Sequence, residues 1–341
     1  LWHYPIFAFA RTKDSTPSEY DKFEWIVLTL ILSIITYFIV ERVFKNRVAF
    51  SFKKFLIYLS SLAIIIISFN FYVILNDGFN YKYKINQNFS LDNSIYKKEW
   101  LEFRKKIGTP DFYENKKIKV LIIGNSHGND TFNMFYLNKD LFKKHEFSIV
   151  DVHVSCFYLF LKDKNSLPTY CKNSFKNKDL KHVEKIFYKS DIVILSTKWL
   201  DEDIEILSPF TKRLIEERKK ILLFSNTLEI NTKIRRNFHI LDFFVLNNKR
   251  LPNENELEKI EKKTFEQLNN TKKINQTLKN IAETNNIQML FKEDYLCDFK
   301  SKRCEVLTPN KIKISWDHSH YTLDGAKYLG KRIFEKNWFK Y

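Results

Sequence analysis

The rest of this chain is organised around residues Val120 to Asp130, which have the sequence VLIIGNSHGND. The four apolar residues Val120 to Ile123 predict a buried strand, and Gly124 ends it. Ser126 follows where the strand gives way to a helical pattern. Open α/β sheets place their chemistry just outside the carboxyl ends of the strands, so this serine is a candidate functional residue. Backbone N–H groups of the next turn would point at an atom bound beside its hydroxyl.

A partner for this serine is expected near the end of the chain, in the segment SWDHSH at 315–320. A serine hydroxyl is a weak nucleophile and needs a base. Asp317 stands three residues before His320, a spacing at which its carboxylate can bond Nδ1 and leave Nε2 free for the serine proton. His318 is the competing base, but the Asp-x-x-His spacing favours His320. The predicted catalytic set is therefore Ser126, Asp317 and His320.

Strand and helix patterns alternate from residue 118 onward. Strands separated by helices are typical of a parallel sheet covered on both faces. The segment 237–255 has no clear period and is interpreted as an insertion over the site. Strands are predicted at 118–124, 147–154, 191–196, 220–225 and 287–291, and helices at 130–143, 178–189, 202–219, 256–285 and 322–335.

Two apolar stretches precede the sheet. Trp25 to Val40 contains sixteen uncharged residues and Phe55 to Asn76 contains twenty-two, which predicts membrane helices at about 24–41 and 55–76. The loop between them is basic, so the positive-inside rule places it in the cytoplasm and everything after about residue 77 outside. Residues 78–117 are predicted to form an extracytoplasmic linker and a structured extension, because Trp100 and its apolar neighbours need burial.

Charge and cysteine content narrow the function classes. The 341-residue chain carries a formal charge of +17, but its lysines are scattered among acidic residues, which disfavours a nucleic-acid partner. An anionic glycan or a membrane surface suits this charge better. Four cysteines on the extracytoplasmic side predict disulfides, with Cys156–Cys171 and Cys297–Cys304 as the favoured pairs and free thiols as the alternative. No C-x-x-C spacing occurs, so no metal site is predicted.

The serine block and the histidine block together resemble the SGNH-hydrolase family. The first reads Gly-Asn-Ser-His at 124–127, the second reads Asp-His-Ser-His at 317–320, and they lie about 190 residues apart. The resemblance implies a flavodoxin-like three-layer α/β/α domain with a parallel sheet over residues 118–341. The family usually has Asp where Asn125 stands; that side chain shapes the turn, and Asn keeps a hydrogen-bonding group there. His127 is expected to be structural or to face the substrate.

The chain departs from the family pattern in the oxyanion-binding loops. The family usually contributes a Gly and a Gly-x-Asn-Asp from separate loops, and Gly-Asn-Asp at 128–130 is too close to Ser126 to be such a loop. Leu-Ser-Thr-Lys-Trp at 195–199 resembles the Leu-Ala-Ala-Arg-Trp of a membrane-linked branch, with Lys for Arg. The candidate oxyanion or substrate contacts are Ser155, Thr197 or a nearby backbone N–H, Trp199, Asn125 and His127; Trp199 could instead simply pack.

The N-terminal residues resemble the end of the acyltransferase-3 membrane family. LWHYPI at 1–6 is similar to its Leu-Trp-His-Trp-Pro-Ile, and YFIVER at 37–42 is similar to the Ser-Tyr-x-x-x-Glu-x-Pro that closes its last helix, without the Pro. One branch of that family continues into an extra helix, a linker and an extracytoplasmic SGNH domain. The resemblance implies that residues 1–45 are a remnant of the membrane domain, that 46–77 hold the extra helix, and that the chain is the C-terminal part of a longer protein.

The two resemblances together imply O-acylation, most often O-acetylation, of a cell-surface glycan such as lipopolysaccharide O-antigen. Acyl-CoA would be the donor at the missing membrane domain, and this chain would bind no cofactor itself. The expected location is the bacterial inner membrane, multi-pass, with the SGNH domain in the periplasm. The alternatives are a glycan or lipid esterase and a non-catalytic module that presents glycan to the membrane domain.

Overall fold

The computed structural model describes residues 2–13, 19–42, 51–75, 84–86, 89–163, 165–176, 178–230 and 239–340. These residues form two compact units, an N-terminal unit that extends to Tyr83 and a C-terminal unit that begins at Lys84.

The N-terminal unit contains the helices α1 (His3–Lys13), α2 (Glu19–Thr36) and α3 (Phe52–Leu75), and a π-helical turn at Tyr37–Glu41 follows α2. Within the described ranges, α3 is the one helix with the length and composition to cross a membrane. It coincides with the second predicted span. The first predicted span is not confirmed, because α2 carries four charged residues in its first six and its uncharged part then passes into the π turn.

The C-terminal unit begins with a short antiparallel pair, β1 (Lys84–Asn86) and β2 (Phe89–Ser90), and with helix α4 (Asn93–Ile107). A five-stranded sheet follows in the order β4-β3-β5-β6-β7, and every neighbouring pair in it is parallel. Its strands are β3 (Ile118–Gly124), β4 (His145–Asp151), β5 (Ile192–Leu195), β6 (Lys220–Phe224) and β7 (Gln288–Leu290). The prediction of an α/β fold with a parallel sheet is confirmed.

The position of β3 in the strand order determines where a site can form. The chain adds β4 on one side of β3 and then returns to add β5 on the other side. The connection that leaves β3 runs to β4 on one side, and the connection that leaves its neighbour β5 runs to β6 on the other side. A crevice therefore opens between the carboxyl ends of β3 and β5, which is where open α/β sheets bind ligands. Ser126 comes directly after this strand.

Both faces of the sheet are buried. Val120 and Ile122 of β3 belong to one hydrophobic core, and Leu121 and Ile123 belong to the other. Alternate residues of a strand point to opposite faces, so the stretch of a strand that lies between two helical layers is apolar at consecutive positions. The helices of the unit after α4 are α5 (Ser126–Tyr136), α6 (Val154–Lys162), α7 (Thr169–Phe175), α8 (Leu180–Lys189), α9 (Asp201–Glu216), α10 (Ile240–Asn248), α11 (Glu254–Glu266), α12 (Leu268–Thr284), α13 (Glu293–Leu296) and α14 (Leu323–Glu335).

Several helix boundaries differ from the sequence-based prediction. Helix α5 begins at Ser126 and not at residue 130, because the Asn125 side chain accepts a hydrogen bond from the N–H of His127 and caps it there. The single helix predicted over 256–285 is two helices, α11 and α12, which meet at Gln267. The segment interpreted as an insertion contains α10 in its described part, and residues 237 and 238 lie outside the described ranges.

Two disulfides lie in the C-terminal unit, and they join the two pairs favoured from the sequence. Cys156–Cys171 links α6 to α7, two short helices that the periodicity did not predict. Cys297–Cys304 links the short antiparallel strands β8 (Cys297–Asp298) and β9 (Arg303–Cys304). The second bridge closes a hairpin about a dozen residues before Asp317, so it restrains the chain that leads to that residue.

Candidate active site

Ser126 is held at the end of β3 by a close backbone approach. A Cβ on Gly124 would lie 1.8 Å from the carbonyl oxygen of Ser196, so only glycine lets β3 run this near to the end of β5. Thr131 of α5 and Ser196 then share a hydroxyl–hydroxyl hydrogen bond of 2.7 Å. The first turn of α5, which begins with Ser126, is thereby fixed to two strands of the sheet.

His320 lies between Ser126 and Asp317. Its Nε2 is 2.9 Å from Oγ of Ser126, and its Nδ1 is 2.8 Å from Oδ2 of Asp317. The side chains of His320 and Asp317 are 18% and 19% exposed, so a substrate can reach them. The competing base His318 is not in this chain of hydrogen bonds; its backbone oxygen accepts from the N–H of Ile230 at 2.6 Å.

Asp317 is held ionised by its hydrogen bonds. Its Oδ1 accepts the backbone N–H groups of Ser319 and His320, each at 2.7 Å, while Oδ2 faces the imidazole. Burial acts to raise the pKa of Asp317, but the hydrogen bond and charge of His320 and the two N–H groups outweigh it and lower the pKa to about 2. The carboxylate is therefore charged throughout the physiological range.

This charge decides the tautomer of His320. An ionised Asp317 can only accept, so Nδ1 of His320 carries the proton and Nε2 is left to accept the proton of Ser126. Burial acts to lower the pKa of His320, but the Asp317 hydrogen bond and the negative charge of Asp130 more than offset it, and the pKa is raised. The arrangement is that of a nucleophile, a base and an orienting acid.

Two aromatic rings enclose His320. His127 stacks on it with ring centroids 4.8 Å apart and planes at 20°, and Trp316 stacks on it at 5.1 Å and 16°. Burial, together with the positive charges of Lys292 and His320, holds the pKa of His127 well below its usual value, so this ring is neutral. Only 4% of His127 is exposed, which favours the predicted structural role of this residue over the predicted substrate-facing role.

A carboxylate and an ammonium group are buried behind these rings. Asp130 and Lys292 are 2% and 3% exposed, and burial raises the pKa of Asp130 to about 7 and lowers that of Lys292 to about 8. His127, Asp130 and His320 each offer a ligand atom within 4.8 Å of the others. Because both ring nitrogens of His320 already bond Asp317 and Ser126, a cation held there would displace those bonds, and we assign no metal to these residues.

The predicted oxyanion and substrate contacts differ in their burial and in their hydrogen bonds. Thr197 is fully buried, and its hydroxyl has no hydrogen-bond partner among the residues that the structure describes. Trp199 is 1% exposed, and its indole N–H donates to the carbonyl of Phe224 at 2.8 Å, so it packs in the core and is not a substrate contact. Ser155 is partly exposed in the first turn of α6, with its hydroxyl 2.7 Å from Nδ1 of His153.

Lys198 and Asn226 follow the carboxyl ends of β5 and β6. Lys198, which replaces the usual Arg, pairs with Glu229, and both side chains are partly exposed. Asn226, which the sequence analysis did not single out, accepts the backbone N–H of Trp199 at 3.1 Å and so fixes the loop after β5. Its position at the carboxyl end of β6 was the available signal, since polar residues there face the crevice of an open sheet.

Asp130, Lys292 and Trp316 were also missed as site residues. Trp316 stands directly before the histidine block and carries no motif signal of its own. Asp130 was placed at the start of a helix, whereas in the structure it lies one turn after Ser126 on α5. Lys292 follows β7, and only the arrangement of the strands brings it near residues of α5.

A flavodoxin-like parallel sheet, a serine directly after its first strand and an Asp-x-x-His before its last helix define an SGNH-hydrolase-like protein. The family model described as "SGNH domain (fused to AT3 domains)", where AT3 is acyltransferase-3, matches residues 95–335, and the chain belongs to this family. The prediction of an SGNH domain of the kind fused to acyltransferase-3 is therefore confirmed.

Solved structures with similarity to the chain have low sequence identity. The periplasmic domain of a lipopolysaccharide acetyltransferase from Salmonella ser. Paratyphi A matches with 16% identity over 72% of this chain and 97% of its own, with a TM-score of 0.45. A GDSL-like lipase from Bacteroides thetaiotaomicron matches with 14% identity over 72% and 96%, with a TM-score of 0.35. An acetylxylan esterase from Geobacillus stearothermophilus matches with 13% identity over 67% and 98%, with a TM-score of 0.33. A search of curated proteins finds no match.

Proposed function

We propose that this chain transfers an O-acyl group, in the first instance acetyl, to a hydroxyl of a cell-surface glycan through an acyl-enzyme on Ser126. The observation that carries the proposal is the continuous hydrogen-bond chain from Oγ of Ser126 through His320 to Asp317, with distances of 2.9 and 2.8 Å. Such a chain activates a serine for attack on an ester carbonyl.

In the first half-reaction, Oγ of Ser126 attacks the acyl carbonyl while its proton passes to Nε2 of His320. Asp317 stabilises the resulting imidazolium through Nδ1–H, and the protonated Nε2 then gives its proton to the leaving group as the tetrahedral intermediate collapses. The negative oxygen of that intermediate lies beside the amino-terminal turn of α5, where backbone N–H groups and the helix dipole favour negative charge.

In the second half-reaction, Nε2 of His320 removes the proton of an acceptor hydroxyl, and the acceptor oxygen attacks the acyl carbon. Ser126 leaves and recovers its proton from His320. A sugar hydroxyl as acceptor makes the reaction a transfer, and water as acceptor makes it a hydrolysis. Both proceed by the same ping-pong sequence, so the residues of the triad do not by themselves distinguish them.

Family membership supports the transfer reaction. The family is defined by fusion to acyltransferase-3 domains, and we propose that such a membrane domain delivers the acyl group from cytoplasmic acyl-CoA to Ser126. On this proposal the chain itself binds no cofactor, α3 crosses the bacterial inner membrane as one of several spans, and the SGNH domain faces the periplasm and the glycan. The two disulfides are consistent with an oxidising compartment.

An esterase is the second candidate. Asp317 and His320 remain partly exposed, so water can reach the site as well as a sugar can. The third hypothesis is a non-catalytic module that presents glycan. The hydrogen-bonded arrangement of Ser126, His320 and Asp317 disfavours it, because glycan binding alone does not require a base aligned with a serine.

Intact-mass measurement on the full chain in detergent, after exposure to p-nitrophenyl acetate, tests the proposal. We expect a single acetyl adduct that is absent from Ser126→Ala and present in Ser166→Ala, an exposed serine whose hydroxyl bonds Asp163. An adduct that survives in Ser126→Ala would overturn the proposal. Release of the adduct to a soluble O-antigen saccharide faster than to water would identify a transferase, and equal release would favour the esterase.

A further inference from the structure

Asp130 is buried one helical turn after Ser126. Residues four apart on a helix share a face, so the carboxylate lies on the Ser126 side of α5. Its Oδ1 accepts the indole N–H of Trp100 at 2.8 Å, while Oδ2 has no hydrogen-bond partner among the residues that the structure describes. Asp130 is 2% exposed, and burying a carboxylate with one oxygen unbonded costs free energy of folding. Nearby positive charges can offset that cost.

The surroundings of Asp130 are cationic. One ligand atom of each of His127, His320 and Asp130 lies within 4.8 Å of the other two. The buried Lys292, which follows β7, and the partly exposed Lys198, which follows β5, both act as positive charges on His127. Lys198 acts on His320 as well, and Asp317 is the remaining negative group that faces this imidazole.

The charges matter because His320 must become an imidazolium each time Ser126 loses its proton. Asp317 compensates that charge at Nδ1, but Lys198 opposes it. When it is ionised, Asp130 supplies a second negative charge to the same ring, and the positive charge of Lys292 favours that ionised form. The neutral His127 stacks on the ring and adds no repulsion while it remains unprotonated.

We propose that Asp130 is a positioning residue, a second carboxylate that stabilises the protonated form of His320, and that Trp100 holds this carboxylate in place. The inference rests on the proposed function, since it acts through the base of that reaction. Trp100 belongs to α4, which precedes the sheet, so this helix contributes to the site through the hydrogen bond of Trp100 to Asp130.

The test is Asp130→Asn in the full chain in detergent, with two independent readouts. The first is the pKa of His320 from NMR of histidine labelled with 13C at Cε1, with the signal assigned by its loss in His320→Gln. The second is the pH dependence of acetyl-adduct formation from p-nitrophenyl acetate. We expect the pKa of His320 to fall by about one unit, the rising limb of the acylation profile to move to lower pH by the same amount, and the plateau rate to fall about tenfold.

Trp100→Phe keeps the ring and removes the donor. The Trp100 hydrogen bond lowers the pKa of Asp130, so without it Asp130 is ionised to a smaller extent. We therefore expect the pKa of His320 to fall in Trp100→Phe, but by less than in Asp130→Asn. In the Asp130→Asn background the same substitution should add nothing. Asp324→Asn, which removes an exposed carboxylate four residues after His320, serves as the matched control and should leave both readouts unchanged.

An unshifted His320 pKa in Asp130→Asn overturns the inference, whether or not the rate falls, because a merely structural residue lowers the rate without moving the titration. The NMR readout does not depend on turnover. Failure of the Asp130 proposal therefore remains distinguishable from failure of the proposed function, which would show as an acetyl adduct that persists in Ser126→Ala.

Discussion

Trp316 lies face to face with His320, with ring centroids 5.1 Å apart and planes at 16°. The imidazole is thus held between this indole and His127 while its nitrogens bond Ser126 and Asp317. The stack fixes the plane of the ring, whereas the two hydrogen bonds fix its rotation within that plane. An indole face also attracts a cation, so it favours the imidazolium that forms during acylation.

Trp316→Ala should lower the rate of acylation about 10- to 100-fold, because a base displaced by about 1 Å loses its alignment with the hydroxyl. Trp316→Phe keeps an aromatic face over His320 and should retain a rate within about threefold of the wild type. Stopped-flow release of p-nitrophenol measures both. If the Phe variant is as slow as the Ala variant, stacking is not what Trp316 contributes.

Asp317→Asn should lower the acylation rate by about 10³- to 10⁴-fold without unfolding the loop. The amide oxygen of Asn can still accept the N–H groups of Ser319 and His320, as Oδ1 of Asp317 does. The amide NH₂ cannot accept Nδ1–H, so it selects the tautomer whose Nε2–H faces Ser126 and cannot take a proton.

Single-turnover acylation measures the loss in Asp317→Asn, and an unchanged melting temperature is the control for folding. A variant within tenfold of the wild-type rate would show that Asp317 does not set the tautomer.

The acylation rate should rise with pH through the pKa of His320 and then level off. The neutral imidazole is the active form, and its pKa is raised above the ordinary value of about 6.5, so the midpoint should lie above that value. Asp317, with a pKa of about 2, stays ionised and adds no second loss of activity between pH 4 and the midpoint. A midpoint below about 6 in the measured profile would contradict the raised pKa.

Lys313→Met should lower the free energy of unfolding by about 3–5 kcal/mol, because it leaves a buried carboxylate without its partner. Lys313 and Asp242 are 0% and 1% exposed, and Nζ of Lys313 bonds Oδ2 of Asp242 and Oδ1 of Asn93, each at 2.6 Å. The pair joins α10 and α4 to the segment that leads into Asp317 and His320.

Thermal unfolding in detergent, followed by near-ultraviolet circular dichroism, measures the cost of Lys313→Met. The double variant Lys313→Met/Asp242→Leu removes both charges and should recover most of the loss. A double variant as unstable as the single one would mean that packing of the lysine stem, and not its charge, stabilises this region.

Much of the fold could be predicted because the apolar pattern of a short segment also indicates whether that segment lies in the middle of the sheet. The part of a strand with both faces covered is an unbroken apolar run, so β3 could be recognised from Val120 to Ile123. The first predicted membrane span stays a prediction: helix α2 begins with charged residues before the apolar run, and the helical backbone continues from α2 into the π turn at Tyr37–Glu41.

The alternating strands and helices, the serine after a buried strand and the Asp-x-x-His pair were predictable, because each is a pattern of residues close together in the chain. The roles of Ser126, Asp317 and His320 stay a prediction, although the fold brings the three into hydrogen-bond contact. The contacts of Asp130 with Trp100 and of Lys313 with Asn93 could not be predicted and depend on tertiary packing. The two contacts join residues that are 30 and 220 positions apart in the sequence. Packing of separate elements brings them together, and no local periodicity encodes that packing.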